Sequence, residues 1–369
     1  MDVQPHRIGT LVDMMPTSID ADFRDGIRMP FDDALALGIL DRPVEVVHHQ
    51  DEALPRRPAR AVEEGWKRLA LDEGCLAIVG PWVTENTLAV RPLAERHGVP
   101  TIVWSGTNDF AGRYCFNLGN GSIPDEAILM ANHLFRAGVR RVVVIRERNR
   151  NGEEYRSWFQ PEAERCGIDI VGDLRVQQTS TSLRETLEKA RELGADAIAY
   201  FGFGLPIFEM GPMLCAMDWD PLRIVCGAYM FVYSAGFSEA LEGWVGIDQL
   251  CEDNPRLGPF LERYAERFGR REKNLIPALA YDTAMVVARA LQAAPVRTPE
   301  GMVAGLERVR MMPTLSGGPR THISFGPWDR KGWKGDYLVV RRLTAKGNEL
   351  VGYWEPFDPL PSPPVPHRG

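Results

Sequence analysis

Four side chains along the sequence could take part in catalysis if the fold brought them together. Asp13, His49, Cys226 and Tyr229 each end or follow an apolar run that predicts a β-strand. Enzymes use carboxylates, imidazoles, thiols and phenols for acid–base and nucleophilic steps. Nothing in the spacing of these four residues shows that they meet. We therefore assign no catalytic residue, and an enzyme that uses a ligand cleft for catalysis on a small molecule stays an alternative.

No motif in the sequence predicts a site for a metal ion or a cofactor. His48 and His49 are adjacent on a predicted strand, so their side chains point to opposite faces and cannot easily share a metal ion. Gly202-Phe203-Gly204 follows a strand but lacks the third glycine of a dinucleotide-binding turn. The sequence has no P-loop, HExxH or GxSxG motif, and its six cysteines form no CxxC pair. We expect neither a metal nor a cofactor.

Size and charge narrow the classes of protein to which the chain could belong. It has 369 residues, which suits two domains, and a net charge of -7 at pH 7. Binding to nucleic acid needs clustered basic residues, whereas the basic pairs here, such as Arg56-Arg57, are short. No run of about 18 apolar residues could span a membrane. A nucleic-acid partner and a transmembrane helix are therefore not expected.

Short apolar runs alternate with longer helical patterns along most of the chain. The runs are continuously apolar, which is typical of parallel strands covered by helices on both faces. In Ala59–Leu71 the residues Val62, Trp66, Leu69 and Ala70 share one helix face, and Leu257–Phe268 and Ile276–Ala293 are further helices. The strand candidates are Arg7–Asp13, Val44–His49, Leu76–Val79, Thr101–Trp104, Arg141–Ile145, Asp169–Val176, Ala197–Tyr200, Arg223–Cys226 and Trp244–Gln249.

Two segments of the sequence repeat the same order of elements. Leu76–Gly106 and Ala197–Tyr229 both read strand, glycine turn, helix, proline, strand and a small-residue loop. Such a repeat predicts two α/β lobes, each with a doubly wound parallel sheet, joined by a multi-stranded hinge. In open α/β sheets ligands bind beyond the carboxyl ends of the strands, so two facing lobes form a ligand cleft that a hinge can close.

Several motifs in this order resemble a known family. They are Ile8-Gly9-Thr10-Leu11-Val12, Val44–Asp51, Ala77–Thr84, Gly98–Ile102 followed by Ser105–Asn108, Phe208–Gly211 and Ala280–Ala284. Over residues 7–345 the chain resembles the branched-chain amino acid and amide type of ABC-transporter substrate-binding proteins (the leucine/isoleucine/valine-binding-protein-like group), which have the type I periplasmic-binding-protein fold.

The resemblance implies a division of the chain into two discontinuous lobes. The N-terminal lobe would comprise residues 1–120 and 252–325, and the C-terminal lobe residues 121–251 and 326–355. Residues 356–369 form a Pro-rich tail outside both lobes.

The resemblance also implies where the ligand binds. Thr84 stands where the family has a ligand-binding serine, and Ser105 and Thr107 occupy the second ligand loop, where their hydroxyls could bond a carboxylate or carbonyl. Thr84 could equally cap a helix. Trp82 and Phe203 would add aromatic walls, with core packing as the alternative. Tyr155 and Asp13 border the cleft, and capping is as good an explanation for Asp13.

One departure from the family bears on the ligand. Amino-acid binders of this type place an acidic residue after the strand equivalent to Arg223–Cys226, where it pairs with the ligand ammonium, whereas Tyr229 falls near that position here. A buried ammonium without a carboxylate is costly. We therefore expect an amide, an aromatic acid or another largely apolar ligand rather than a standard α-amino acid.

Two binding roles fit these expectations. The protein would be a solute-binding protein that delivers its ligand to an ABC permease, or a ligand sensor that binds a regulatory partner. No signal peptide precedes the first strand, which predicts a cytoplasmic protein if Met1 is the native start. If a signal sequence has been removed, the protein would be periplasmic or an extracellular lipoprotein. The sequence does not predict an oligomeric state.

Overall fold

The computed structural model describes residues 4–14, 17–51, 57–119, 121–270 and 274–353. The predicted Pro-rich tail lies outside these ranges. Within them the chain forms two α/β lobes, as the sequence predicts. None of the described helices is both long and apolar enough to cross a membrane.

The first lobe is built on a five-stranded sheet with the order β2-β1-β3-β4-β5, in which all neighbours are parallel. Three of its strands have only two or three residues each. The strands are β1 (His6–Val12), β2 (Val44–Gln50), β3 (Ile78–Val79), β4 (Thr101–Val103) and β5 (Cys115–Asn117).

Helices cover both faces of this sheet. They are α1 (Thr17–Ala36), α2 (Arg60–Lys67), which continues into a π-helical turn over Arg68–Asp72, and α3 (Thr84–His97). The predicted helix face of Val62, Trp66, Leu69 and Ala70 is buried, and Trp66 Nε1 donates to Thr101 Oγ1 at 2.9 Å. This face therefore anchors α2 to the sheet.

The second lobe is built on a seven-stranded sheet. Its parallel part has the order β7-β6-β8-β9-β10, and all four residues of Val142–Ile145 in β6 are fully buried, which confirms a strand covered on both faces. The parallel strands are β6 (Arg141–Glu147), β7 (Asp169–Val176), β8 (Ala197–Phe201), β9 (Leu222–Val225) and β10 (Trp244–Asp248). The helices between and beside them are α4 (Ile123–Arg136), α5 (Arg150–Arg165), α6 (Arg184–Glu192), α7 (Pro206–Ala216) and α8 (Ala228–Ser234), followed by a 3₁₀ turn over Ser238–Leu241.

After β10 the chain returns to the first lobe through three helices, α9 (Leu257–Phe268), α10 (Ile276–Ala293) and α11 (Pro299–Leu306). Helix α10 packs along α1. Gly26 permits this close crossing, because a Cβ there would lie 2.7 Å from the Pro277 carbonyl oxygen and 2.9 Å from Ala280 Cβ. A side chain at position 26 would force the two helices apart.

The last strands differ from the predicted all-parallel pattern. A small antiparallel sheet is formed by β11 (Met312–Pro313), β12 (His322–Ile323) and β13 (Trp333–Lys334). The chain then re-enters the second lobe, where β14 (Val339–Thr344) and β15 (Gly347–Tyr353) join β10 in antiparallel pairing. The chain thus passes between the lobes three times, whereas the residue boundaries of the two domains stay a prediction.

Candidate functional site

A cavity lies between the lobes, at the carboxyl ends of the parallel strands. Loops after β1, β3 and β4 border it on the first-lobe side, and loops after β6, β7 and β8 border it on the second-lobe side. Its empty volume is about 610 Å³ with the open mouth included. The lining residues are Met14, Trp82, Val83, Thr84, Glu85, Trp104, Gly106, Ile123, Glu126, Glu147, Asn149, Asn151, Tyr155, Gln178, Phe203 and Phe231.

Aromatic rings form much of the wall. Trp82 and Trp104 are stacked, with ring centroids 4.4 Å apart and planes 24° apart, and Phe23 packs edge-on against both from behind. Phe231 of the second lobe lies 5.7 Å from Trp82 and 6.0 Å from Phe203, measured between ring centroids. The cavity therefore offers flat apolar surfaces contributed by both lobes.

The Asp13 carboxylate fixes the loop that carries Trp82. Its oxygens accept hydrogen bonds from the backbone N–H groups of Trp82 and Val83 at 2.8 and 3.1 Å, and from Asn86 Nδ2 at 2.7 Å. Asp13 thus fixes the turn that leads into α3 and does not line the cavity. Burial raises its pKa to about 6, although these hydrogen bonds oppose the increase.

Hydroxyl groups lie beside the tryptophans. Thr84 lines the cavity, and its Oγ1 donates to Asn151 Oδ1 across the cleft at 2.7 Å. Because the Thr84 proton is used there, Ser105 Oγ donates to Thr84 Oγ1 at 3.0 Å. Ser105 is itself 2 % exposed and lies behind Thr84 rather than on the cavity surface. The pair forms a polar strip that ends on the second lobe.

Further hydrogen bonds join the lobes at the mouth. Glu154 on α5 accepts from Thr107 Oγ1 and from the Asn108 backbone N–H, both at 2.7 Å. The Arg150 backbone N–H donates to Glu85 Oε1 at 3.2 Å, and the Arg150 guanidinium pairs with Asp109. The described conformation is therefore closed around the cavity.

Glu126 is a buried carboxylate of the cavity lining. It is 2 % exposed, and its Oε2 accepts from Tyr155 Oη at 2.8 Å and from the Gly227 backbone N–H at 2.6 Å. Gly121 makes room for the other oxygen, since a Cβ there would lie 1.9 Å from Oε1. Burial raises the pKa of Glu126 to about 8.

A second carboxylate, Glu147, ends strand β6 and also lines the cavity. It accepts from Tyr200 Oη at 2.7 Å, from the Gly204 backbone N–H at 2.5 Å and from Asn149 Nδ2 at 2.8 Å. Burial raises the pKa of Glu147, and these donors oppose the increase. The second lobe thus supplies two buried carboxyl groups to the same cavity.

A family model described as "Periplasmic binding protein" matches residues 5–339. The chain belongs to this family. A search of curated protein sequences gives no match.

Solved structures of similar fold agree with this assignment. A leucine-binding protein from Thermotoga maritima has a TM-score of 0.80 at 19 % identity, covering 95 % of this chain and 99 % of its own. A branched-chain amino acid substrate-binding protein from Streptococcus pneumoniae, in complex with isoleucine, has a TM-score of 0.78 at 19 % identity, with 94 % and 99 % coverage. A solute-binding protein from R. palustris, in complex with benzoate, has a TM-score of 0.77 at 16 % identity, with 96 % and 97 % coverage. At these identities the likeness shows the fold alone.

In this family member, four of the predicted ligand residues line the cavity: Trp82, Thr84, Tyr155 and Phe203. Tyr155 stacks on Phe201, with centroids 5.5 Å apart, and so presents its hydroxyl to Glu126. Ser105, Thr107 and Asp13 lie in the layer behind, where they orient the lining loops or join the lobes.

Tyr229, by contrast, lies away from the cavity. Its hydroxyl donates to Asn348 Oδ1 at 2.9 Å. Its ring packs over Gly246, where a Cβ would lie 2.1 Å from the ring. The residue therefore anchors α8 to strands β10 and β15.

The four potentially reactive side chains do not come together at the cavity. His49 Nε2 lies 3.7 Å from Asp51 Oδ2 and beside Gly65 of α2. Cys226 is fully buried, and burial raises the pKa of its thiol to about 12, so it stays protonated at neutral pH. Within the described residues, no group of three His, Cys, Asp or Glu side chains could hold a metal ion.

The two buried glutamates are the site residues that sequence reasoning missed. Glu147 had a signal, since a charge at the end of the apolar run Val142–Ile145 points to the cleft edge of a parallel sheet. Glu126 had none, because acidic residues such as Asp125 and Glu126 are common in the first turn of a helix, where they interact favourably with the helix dipole. The premise that no carboxylate is available for a ligand ammonium therefore does not hold for this cavity.

Proposed function

We propose that this protein binds a small organic solute between its lobes and delivers it, as the closed complex, to the permease of an ABC transporter. The observation that carries the proposal is a cavity lined by both lobes and bridged by hydrogen bonds at its mouth. Contacts that exist only when the lobes are closed are the means by which a ligand shifts the population toward the closed state.

Closure would assemble the site from two incomplete halves. The first lobe contributes Trp82, Trp104 and Thr84, and the second contributes Asn151, Tyr155 and the two glutamates. A ligand that touches both walls adds its own contacts to the Thr84–Asn151 and Thr107–Glu154 hydrogen bonds. Binding and closure are then one coupled equilibrium.

The aromatic lining supports a ligand with a largely apolar body, such as an amide or an aromatic compound. The similar structures include a leucine-binding protein, an isoleucine complex and a benzoate complex. Small organic solutes with an apolar portion therefore suit the fold and this cavity. The lack of an acidic residue at Tyr229 does not argue against an amino group on the ligand, because Glu126 and Glu147 line the cavity. A standard α-amino acid is less favoured because its carboxylate would meet these glutamates and no basic side chain of the described lining.

Direct ligand contacts would come from Trp82, Thr84, Tyr155 and Phe203. Ser105 would support Thr84, Asp13 would hold the loop of Trp82, and Thr107 would act through the closed conformation. An ABC permease as partner places the protein on the outer face of the membrane, in the periplasm or anchored outside the cell.

The test is capture of the ligand followed by detection of closure. The purified protein is incubated with fractionated cell extract, the bound compound is identified by mass spectrometry, and the radius of gyration is measured by small-angle X-ray scattering. A compound at 100 times its Kd adds about 2.7 kcal/mol to the free energy of unfolding and raises Tm by a few degrees. We expect an unchanged compound and a smaller radius.

Matched variants test the position of the site. Thr84→Ala should weaken binding of the captured compound, and Ser182→Ala on an exposed loop should not. A compound that is chemically converted, or an extract in which no fraction changes Tm or the radius of gyration, would contradict a binding protein.

A further inference from the structure

The charged groups of the cavity lining all have one sign. Glu85, Glu126 and Glu147 line the cavity, and no Lys, Arg or His side chain lies among its described lining residues. In a low-dielectric cleft, one sign of charge selects ligands of the opposite sign. An anionic ligand would meet three carboxyl groups and no cation.

The neighbouring cations are engaged elsewhere. Arg146 bonds Asp173 at 2.7 Å, Arg150 pairs with Asp109, and Lys331 Nζ lies 3.3 Å from Ser122 Oγ. No basic side chain contributes to the shifted pKa of Glu126, whose causes are burial, its two hydrogen bonds and Asp125. When Glu126 is ionised, no basic side chain among the described residues therefore compensates its charge.

Glu126 also has unused hydrogen-bonding capacity. Both of its donors, Tyr155 Oη and the Gly227 N–H, bond to Oε2. Oε1 forms no hydrogen bond within the described ranges, although the residue is 2 % exposed and lines the cavity. This oxygen is not among the fully buried polar atoms of the described residues that lack a partner, so it is accessible from the cavity and can accept a hydrogen bond from a ligand.

The aromatic walls suit the same kind of ligand. The Trp82–Trp104 stack, Phe203 and Phe231 surround the space in front of the glutamates. Aromatic faces attract ammonium and guanidinium groups through the ring quadrupole, and the attraction is stronger in desolvated sites. Apolar walls and carboxylates together favour a cation with an apolar body.

We infer that the ligand is a small organic cation, an amine or guanidinium compound with an apolar body, whose charged group binds between Glu126 and Glu147. This inference rests on the proposed function and names the ligand class of the same cavity. Glu126 Oε1 accepts a hydrogen bond from the cation, while Glu147, already bonded to Tyr200, Gly204 and Asn149, supplies charge.

The test uses titration calorimetry to compare probes that have a similar shape but carry a positive, a zero or a negative charge. Benzylamine, benzamide and benzoate form one series, and isopentylamine, isovaleramide and isovalerate form a second with an aliphatic body. We expect the amine to bind at least tenfold more tightly than the amide and the carboxylate of its own series. The affinity of the better amine should rise about tenfold between pH 6.5 and 8.5, as Glu126 loses its proton.

Three variants test whether the preference for amines depends on Glu126 and Glu147. Glu126→Gln keeps a carbonyl oxygen that can accept from Tyr155 and Gly227, so the fold should survive. It should lower amine affinity at least tenfold and alter amide affinity less than twofold. Glu147→Gln should also weaken amine binding more than amide binding, whereas Glu185→Gln on an exposed surface should change neither.

The inference fails if a neutral or anionic member binds best in both series, if no amine binds, or if Glu126→Gln leaves amine affinity unchanged in a folded protein. Binding of an amide or carboxylate with closure would leave the proposed function standing. If no probe and no extract fraction closes the lobes, both the inference and the proposed function fail.

Discussion

Asp282 in the first lobe and Glu126 in the second are buried to the same extent but bonded in different ways. Asp282 accepts from the backbone N–H groups of Leu315 and Ser316 and from Ser316 Oγ, so both of its oxygens are used. Glu126 receives two hydrogen bonds, both on Oε2. Burial raises the pKa of Asp282 to about 7 and that of Glu126 to about 8.

The comparison shows that a raised pKa does not by itself identify a ligand site. Perturbed pKa values mark functional sites only statistically, since structural carboxylates are perturbed as well. The two residues differ in what their oxygens face. Asp282 ties α10 to the segment at 315–316, whereas Glu126 borders a cavity with one oxygen available.

The largest expected effect is a difference in the free energy of unfolding between variants of Asp282 and Glu126. Asp282→Asn places an amide NH₂ against backbone donors, and losing these buried hydrogen bonds should cost about 3 kcal/mol. Glu126→Gln should change the free energy of unfolding by less than about 1 kcal/mol, because its single acceptor oxygen is kept. Urea unfolding of the ligand-free proteins measures both, and equal losses would remove the distinction.

The second effect is a fall in stability as pH rises. The buried carboxyls of Glu126 and Asp282 hold their protons in the folded protein at pH 5.5, whereas unfolded carboxyls with pKa values near 4 do not. The stabilisation is complete below the unfolded pKa and is lost as pH rises through about 7 to 8, so Tm should fall between pH 5.5 and 8.5. Glu126→Gln should flatten this slope, and an unchanged slope would mean that Glu126 is ionised throughout.

The third effect concerns affinity. Thr84→Val removes the hydroxyl that bonds Asn151 across the cleft but keeps the shape of the side chain. We expect about tenfold weaker ligand binding, equivalent to about 1.4 kcal/mol, with little change in Tm of the ligand-free protein. Calorimetry with the identified ligand checks this, and a large fall in Tm would instead make Thr84 a structural residue like Asp282.

The smallest effect is expected at Tyr229. Tyr229→Phe removes only the hydrogen bond to Asn348 and should cost about 1 kcal/mol of stability. Ligand affinity should stay within twofold of the unsubstituted protein, because the hydroxyl is remote from the cavity. A clear loss of affinity would show that Tyr229 reaches the ligand in a conformation other than the one described.

The fold was predictable where burial dictates the sequence pattern. Strand β6 reads as a continuous apolar run because helices cover both of its faces. Strands β14 and β15 escaped prediction because Arg341 and Arg342 interrupt the apolar pattern of β14, and because no residue of β15 is buried. Arg341 is buried in an ion pair with Glu252 and a hydrogen bond to Asn348, contacts that local sequence does not reveal.

Apart from Tyr155, which lies on helix α5, the lining residues that could be predicted are those whose loop follows a strand directly. Trp82 and Thr84 follow β3, and Phe203 follows β8, so their place at the cleft follows from the topology of parallel sheets. Glu126 enters the cavity from a helix and meets Tyr155 and Gly227, which are distant in sequence. The position of Tyr229 along the chain does not show that α8 turns its ring toward Gly246, outside the cavity lining.

The hydrogen bonds that join the lobes at the mouth have a kinetic consequence. Thr84, Thr107 and Asn108 bond directly to Asn151 and Glu154 across the mouth, and these bonds hold the lobes together in the closed conformation. Passage of an organic molecule then requires these bonds to break first. The rate at which these bonds break and the lobes reopen would therefore set the residence time of a captured molecule.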